Sequence, residues 1–382
     1  MSATNPKDNN NVPIEAAETD QDSVSGRRTR LIKKLDFESS QGYLPFTNEE
    51  FFEQSNPIVR SALFSVGNTK GVYEEWTPIF GIGAGNIFYR GPFLSVDHEI
   101  VLARLMVLAR GKSLTKPIAL YVADVVRWLK LGESGPNFAK AKRILDDLGR
   151  AQLRVSHRPA LRRLYQLLTA PQEGRPDGKF FKDYIDNLYG PHLKSLASAL
   201  EKKEEYEIDL RFVMKMSKHN ITGRMLVNLD PMAAVFFDGV NTTLVPFEVW
   251  EELDGYGKKL LPYIASHRDG VFPVKLENYF RLQGSKSKYE SVRRRFKSEL
   301  IKRLEDWESR KYIDAGWKIY RGADEDWVLG GTVRAGEAIR IRANETLLGV
   351  LTEDAFDDDV DGVEFAEDVT TGDMFTEAAP EA

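Results

Sequence analysis

Apolar residues recur at spacings of three and four in several stretches of the chain. The clearest runs from Ser285 to Trp307, where Tyr289, Val292, Phe296, Leu300, Leu304 and Trp307 share one stripe of a predicted helix. At 100° per residue the opposite face holds Ser287, Ser291, Arg294 and Ser298, flanked by Arg295 and Lys302. Asp97 to Ala109 reads as an amphipathic helix capped by Asp97, and Ile118 to Leu131 as a second helical segment. A third helix, Asn137 to Leu148, follows the turn GESGP. It turns Phe138, Ala141, Leu145 and Leu148 inward and Ala139, Lys140 and Arg143 outward. Shorter runs at Arg60–Phe64, Ile87–Leu94 and Gln152–His157 read as strands, and Arg224–Phe237 as a strand pair. Phe180–Glu205 and Lys258–Ser266 read as helices. The glycine-rich stretch Trp327–Arg342 after KYIDAGWKIY suits a hairpin.

Helix, short glycine-containing turn, helix with a basic outer face and then a strand is the order of a winged helix-turn-helix. The order occurs twice. Pro117-Ile118, a helix, GES and the basic helix from Asn137 have a counterpart in Pro273-Val274, KLENYFRL, QGS and the basic helix from Lys286. The predicted fold class is therefore α+β: two tandem winged-helix (helix-turn-helix) domains with a disordered N-terminal arm and an acidic C-terminal tail. The expected divisions are 1–55 for the arm, 56–206 and 207–345 for the two domains, and 346–382 for the tail.

Composition changes this picture in three ways. At 382 residues and 42% hydrophobic content the chain can bury substantial cores. With no cysteine, disulfides, cysteine-ligated metals and thiol nucleophiles are excluded, which suits a reducing cytoplasm. No apolar run approaches the roughly 18 residues of a membrane helix. The net charge of -5 conceals an asymmetry, because the stretch from Thr352 onward carries twelve acidic residues and no Lys or Arg. Without it the remaining body is at +7, a balance that suits a polyanionic partner. The acidic stretch itself has two readings: a solvated tail, or a competitor with DNA for the basic helices.

Catalytic patterns are missing. The five histidines show no HExxH or His-x-His spacing, and no GxxxxGK[ST] loop occurs. Gly81, Gly83 and Gly85 lead into a strand, whereas cradling a phosphate requires a helix N-terminus there. His267 reads as a structural histidine at a helix end. The expectation is a binding protein, not an enzyme, with no cofactor and no metal. Within the polar arm, QGYLPF (Gln41–Phe46) resembles the short peptide by which bacterial proteins dock on the polymerase sliding clamp. Leu44 and Phe46 are the apolar anchors there and Gln41 is the rim contact.

Taken together, RSALF at Arg60, YRG before the Asp97 helix, ITGRMLVNLD at Ile221–Asp230 and SHRDGVFPVKLENYFRLQGS at Ser266–Ser285 resemble the TrfA-type plasmid replication initiators. The resemblance spans roughly residues 56 to 320. It implies two winged-helix domains that bind direct repeats, the iterons, of a plasmid origin in the bacterial cytoplasm. It also implies help in opening the origin, contacts with the sliding clamp and the replicative helicase, and monomer–dimer control of copy number. The family's arm carries Gln-x-x-Leu-Phe before RSALF; here Pro45 intervenes and shifts the register. ITGRMLVNLD would open the second half.

On this reading two recognition helices enter successive major grooves about 34 Å apart. The candidate DNA contacts are Ser287, Ser291, Arg294 and Arg295 on the second helix, with Lys286, Lys288 and Lys297 on phosphates. On the first they are Lys140 and Arg143, with Arg150 and Arg154 at the backbone. A sequence-specific repressor without replication activity would present the same face.

Overall fold

The structure, a computed structural model, describes residues 51–340 apart from 68–69, 84–86, 110–112, 157, 170–177, 220–221, 237–241 and 268. The described chain opens with β1 (Phe51–Ser55) and a single helical turn, α1 (Asn56–Val59). Strands β2 (Phe64–Ser65), β3 (Val72–Ile79), β4 (Ile87–Pro92) and β5 (Leu94–Ser95) lead into α2 (Val96–Ala109). Next come β6 (Ile118–Tyr121), α3 (Val122–Trp128), α4 (Gly135–Arg150), β7 (Gln152–Val155), α5 (Arg158–Thr169) and α6 (Gly178–Lys202). Strands β8 (Ile208–Arg211), β9 (Val213–Lys218) and β10 (Arg224–Leu229) precede a 3₁₀ turn at Pro231–Phe236. The rest comprises β11 (Thr242–Pro246), α7 (Phe247–Glu252), α8 (Gly255–Ala265), β12 (Val274–Lys275), α9 (Leu276–Leu282), α10 (Tyr289–Ser309), β13 (Trp317–Arg321) and β14 (Trp327–Gly331).

This is a mixed α and β chain in which one unit recurs. Strand β6, helix α3, a turn and helix α4 reappear as β12, α9, a turn and α10. Helix α3 starts at Val122 and α9 at Leu276, α4 at Gly135 and α10 at Tyr289, so both helices recur at the same offset. In each unit the leading strand pairs antiparallel with the second strand of a hairpin, in the orders β6-β10-β9 and β12-β14-β13.

Three expectations are corrected here. Strand β7 follows α4 directly but does not form its hairpin; it lies between β4 and β8 in a separate four-stranded sheet, β3-β4-β7-β8. The hairpin belonging to α4 is β9–β10, reached only after α5 and α6. Hence ITGRMLVNLD completes the first unit rather than opening the second, and pairing runs across the expected boundary at 207. Phe212, Val213, Met225, Val227 and Leu229 all sit in the first core. Finally, the expected helix at Ile118 begins as a strand; α3 starts at Val122, where the Asp124 carboxylate accepts a hydrogen bond from the Tyr121 amide at 2.7 Å.

The two cores are tied together at several points. Strand β1 pairs with β11, and Phe52 stacks on Trp250 at 4.0 Å between ring centroids, so the first described strand belongs to the second core. Helix α2 is apolar on more than one side. Val101, Leu102, Leu105 and Met106 enter the first core, while Ala103 enters the second with Ile100 and Val107 packed beside it. It is a helix shared between cores, not one with a wet face. From α2, Glu99 meets Lys259 of α8 at 3.5 Å, both fully buried. Burial pushes the Glu99 carboxyl up, and the Lys259 ammonium opposes that rise. Arg60, in RSALF, donates to the Ser266 hydroxyl at 2.9 Å and to its carbonyl at 2.6 Å, joining two motifs far apart in sequence.

Candidate nucleic-acid interface

Helix α10 is anchored as its stripe predicts. Phe296, Leu300, Leu304 and Trp307 are buried, and Tyr289 and Val292 pack at the edge of the same core. The anchor is aromatic: Phe296 contacts Tyr256 edge-on at 5.5 Å and Phe280 at 5.4 Å, and Phe280 meets Tyr289 at 5.6 Å. Truncating Phe296 to Ala would cost about 3–5 kcal/mol. With the inner stripe held, Ser291, Arg294 and Ser298 face solvent.

The turn before α10 is also fixed. Gly284 has φ +70, and a Cβ there would lie 2.6 Å from that of Ser65. The Val66 amide donates to the Gln283 carbonyl at 2.8 Å, so β2 and the residues after it brace the turn. The Ser285 hydroxyl accepts from the Ser287 amide at 3.2 Å, which keeps residues 285–287 out of the helix. Ser287 is therefore in the turn, not on the helix face where it was expected. Lys288 is the N-cap, and its carbonyl accepts the Ser291 hydroxyl at 2.8 Å. That leaves the Ser291 oxygen with lone pairs to offer an exocyclic amine.

The cations of this region fall into two groups. Among the described residues, the exposed Arg293, Arg294 and Lys302 have no carboxylate partner, and neither do Lys288 and Arg281. The others are committed. Arg295 lies 3.5 Å from Glu299, and Lys297 sits 3.0 Å from the centre of the Trp327 ring on β14. Its ammonium is held below the usual lysine range by loss of water and by the neighbouring Arg321. Lys286 lies 4.0 Å above Phe93 of the first half. Lys297 thus fastens the hairpin to the helix instead of reaching outward, as the sequence had suggested.

Helix α4 has a weaker outer face. Lys140 pairs with Asp97 at 2.6 Å, and Arg150 pairs with Asp147. Burial would raise the Asp147 carboxyl, but hydrogen bonds from His98 and Arg150 outweigh it and hold it low. Arg154 lies on β7, away from the helix. It is clamped by Asp209 at 2.8 Å and Glu207 at 3.0 Å, and its guanidinium stacks 4.2 Å over Trp76. Of the four basic residues expected at this helix, only Arg143 is exposed and without a carboxylate partner among the described residues. The sequence reading missed the hairpin beside it. Lys215, Lys218 and Arg224 are exposed on β9–β10, without carboxylate partners among the described residues, and Met216 of β9 packs against Gly149 of α4. The signal in the sequence is three cations flanking a turn, beyond the expected boundary at 207.

The hairpin of the second unit has the opposite sign. Its tip carries Asp324, Glu325 and Asp326, and Lys275 bridges Asp324 and, at 3.0 Å, Asp326. Gln41, Leu44 and Phe46 lie outside the described residues. Among the described residues no group of three or more metal-ligating side chains assembles, and no helix is long and apolar enough to cross a membrane.

No family model matches the chain, and no curated protein matches it. Among solved structures it is similar to domains 2 and 3 of RctB, with a TM-score of 0.43 and 13% identity over 73% of this chain and 98% of that one. It is also similar to the Pi initiator protein in complex with iteron DNA, with a TM-score of 0.39 and 12% identity over 76% of this chain and 98% of that one.

Proposed function

We propose that this chain binds double-stranded DNA through two winged-helix modules, α2–β6–α3–α4 with β9–β10 and α8–β12–α9–α10 with β13–β14. The observation that carries this is the outer face of α10, where Ser291, Arg294 and Ser298 stand clear of the core and, among the described residues, Arg293, Arg294 and Lys302 have no carboxylate partner. A helix so exposed, with short hydroxyls beside free guanidinium groups, can lie close to base edges while its arginines reach guanine or phosphate. Arg143, Lys215, Lys218 and Arg224 of the first module contribute mainly to phosphate. The protein contributes no covalent chemistry of its own.

The sequence resemblance supports reading this activity as replication initiation at plasmid iterons, in which the arm motif Gln41, Leu44 and Phe46 would engage the sliding clamp and a helicase would be recruited to the opened origin. Footprinting on DNA flanking the gene tests the reading. Protection of direct repeats spaced by helical turns is expected; protection of one palindrome would replace the initiator with a repressor, and no protection would remove specific binding altogether.

A further inference from the structure

A cavity of about 270 Å³ lies where the first half meets the α9–α10 turn. Its walls include Leu63, Phe80, Phe93 and Leu94, and Arg281 and Lys286 stand at its rim. The Arg281 guanidinium lies 4.0 Å over Phe80, as Lys286 does over Phe93, and among the described residues neither cation has a carboxylate partner. This volume falls below the roughly 300–1,000 Å³ of cofactor and ligand pockets, so it suits a side chain of a peptide better than a small molecule. Arg293, Arg294 and Lys302 continue the positive surface along α10.

We propose that the acidic segment Glu353–Asp368 of this same chain docks here, with an aromatic side chain in the cavity and its carboxylates along the unpaired cations of α10. The segment holds nine acidic residues, no basic one, and two phenylalanines, Phe356 and Phe365. Its reach is sufficient. The last described residues are fixed at the far end of α10, where the Ala338 amide donates to the Lys311 carbonyl at 3.1 Å and Arg340 pairs with Asp314 at 2.9 Å. Helix α10 has 21 residues and is about 31 Å long. Twelve residues separate Arg340 from Glu353 and extend to about 40 Å. The segment would then occupy the surface assigned to DNA, making the unbound protein its own competitor; that consequence rests on the DNA-binding reading, and the docking does not.

The cysteine-free chain makes the test direct. Spin labels on full-length protein carrying Ser298→Cys and Ala355→Cys should report a short, narrow distance at low ionic strength. Raising salt from 0.01 to 1 M, which shrinks the Debye length from about 30 to about 3 Å, should lengthen and broaden it. Arg281→Gln with Lys286→Gln should abolish the short distance, and so should Phe356→Ser with Phe365→Ser at constant charge. A broad distance that ignores salt and both pairs of substitutions overturns the docking. Loss with salt but not with the phenylalanine changes would reduce it to charge attraction and remove the cavity from the proposal. Duplex DNA separates the two readings: a short distance in the unaltered protein, with no DNA binding even once the nine acidic residues are amidated, keeps the docking and sinks the DNA face. In a DNA-binding chain, amidating the nine acidic residues should strengthen low-salt affinity about tenfold.

Discussion

The two repeated units share an order of elements and a sheet topology, yet they distribute charge in opposite ways. In the first, Lys140 and Arg150 of helix α4 are neutralised by Asp97 and Asp147, while the hairpin shows Lys215, Lys218 and Arg224. In the second, helix α10 exposes Arg293 and Arg294, while the hairpin tip is Asp324, Glu325 and Asp326. A polyanion is thus offered a hairpin by one unit and a helix by the other. Phosphate contacts position and base contacts specify. If the chain binds DNA as proposed, this division would give most sequence reading to α10 and most backbone grip to β9–β10, with the acidic tip of β13–β14 turned from the phosphates.

The comparison holds only if the units stay in register, and one contact that joins them is the buried Glu99–Lys259 pair between α2 and α8. Removing one partner leaves a charge in a dry interior, which costs about 3–5 kcal/mol, whereas replacing both with apolar residues of similar volume is near neutral. Lys259→Met should therefore unfold at much lower denaturant than Glu99→Leu with Lys259→Met, as measured by urea titration. A double variant as unstable as the single one would show that the pair is not an isolated charge problem.

Next in size is the reading helix. Arg294→Ala should weaken binding to the cognate site by about 1–3 kcal/mol and relax preference at one base position, measured by titration against single-base variants of the site. Equal losses on every sequence would return Arg294 to the phosphate-binding group and erase the distinction between α10 and β9–β10.

The joint between the units also has a pH signature. His267, at the end of α8, accepts the positive field of Arg60 from the other half, and burial together with that charge lowers its pKa to about 4. The unfolded chain, near 6.5, binds the proton first, so stability should fall as pH drops from about 6.5 to about 4 and stop falling below that. The ring is partly solvated, which cuts the loss to about 1–2 kcal/mol. Urea midpoints at pH 7 and pH 5 should converge in His267→Asn; an unchanged slope would assign the pH dependence elsewhere.

Much of this was legible in the sequence, for physical reasons that vary by element. The stripe Phe296, Leu300, Leu304 and Trp307 is a local pattern, and burial followed it. The repeated helix–turn–helix was legible because turn residues and apolar spacing recur together; the short strands that open each unit, β6 and β12, were not. The first unit's hairpin was not, since β7 is next in the chain while β9–β10 is next in space; strand pairing is decided by contacts that no window contains. Ser287 was misplaced because a hydroxyl-capped turn and a helical start look alike until the Ser285–Ser287 hydrogen bond is seen. Which cations are free was least legible of all. Lys140 and Arg143 are three residues apart on one helix, and only the former lies beside an Asp supplied by α2.

That last contrast supplies the finest test. Lys218→Ala removes a free cation from the hairpin, so DNA affinity should fall about equally on all sequences, and the slope of log affinity against log salt should become shallower by about 1. Lys140→Ala removes a cation already paired with Asp97, and a half-buried surface pair of this kind is worth about 1 kcal/mol or less to the fold. Its salt slope should match that of the unaltered protein. If Lys140→Ala flattened the slope as much as Lys218→Ala, the Asp97 pair would be one that opens for DNA. The first unit would then present a basic helix as well as a basic hairpin, and the opposition between the two units would be confined to their hairpins.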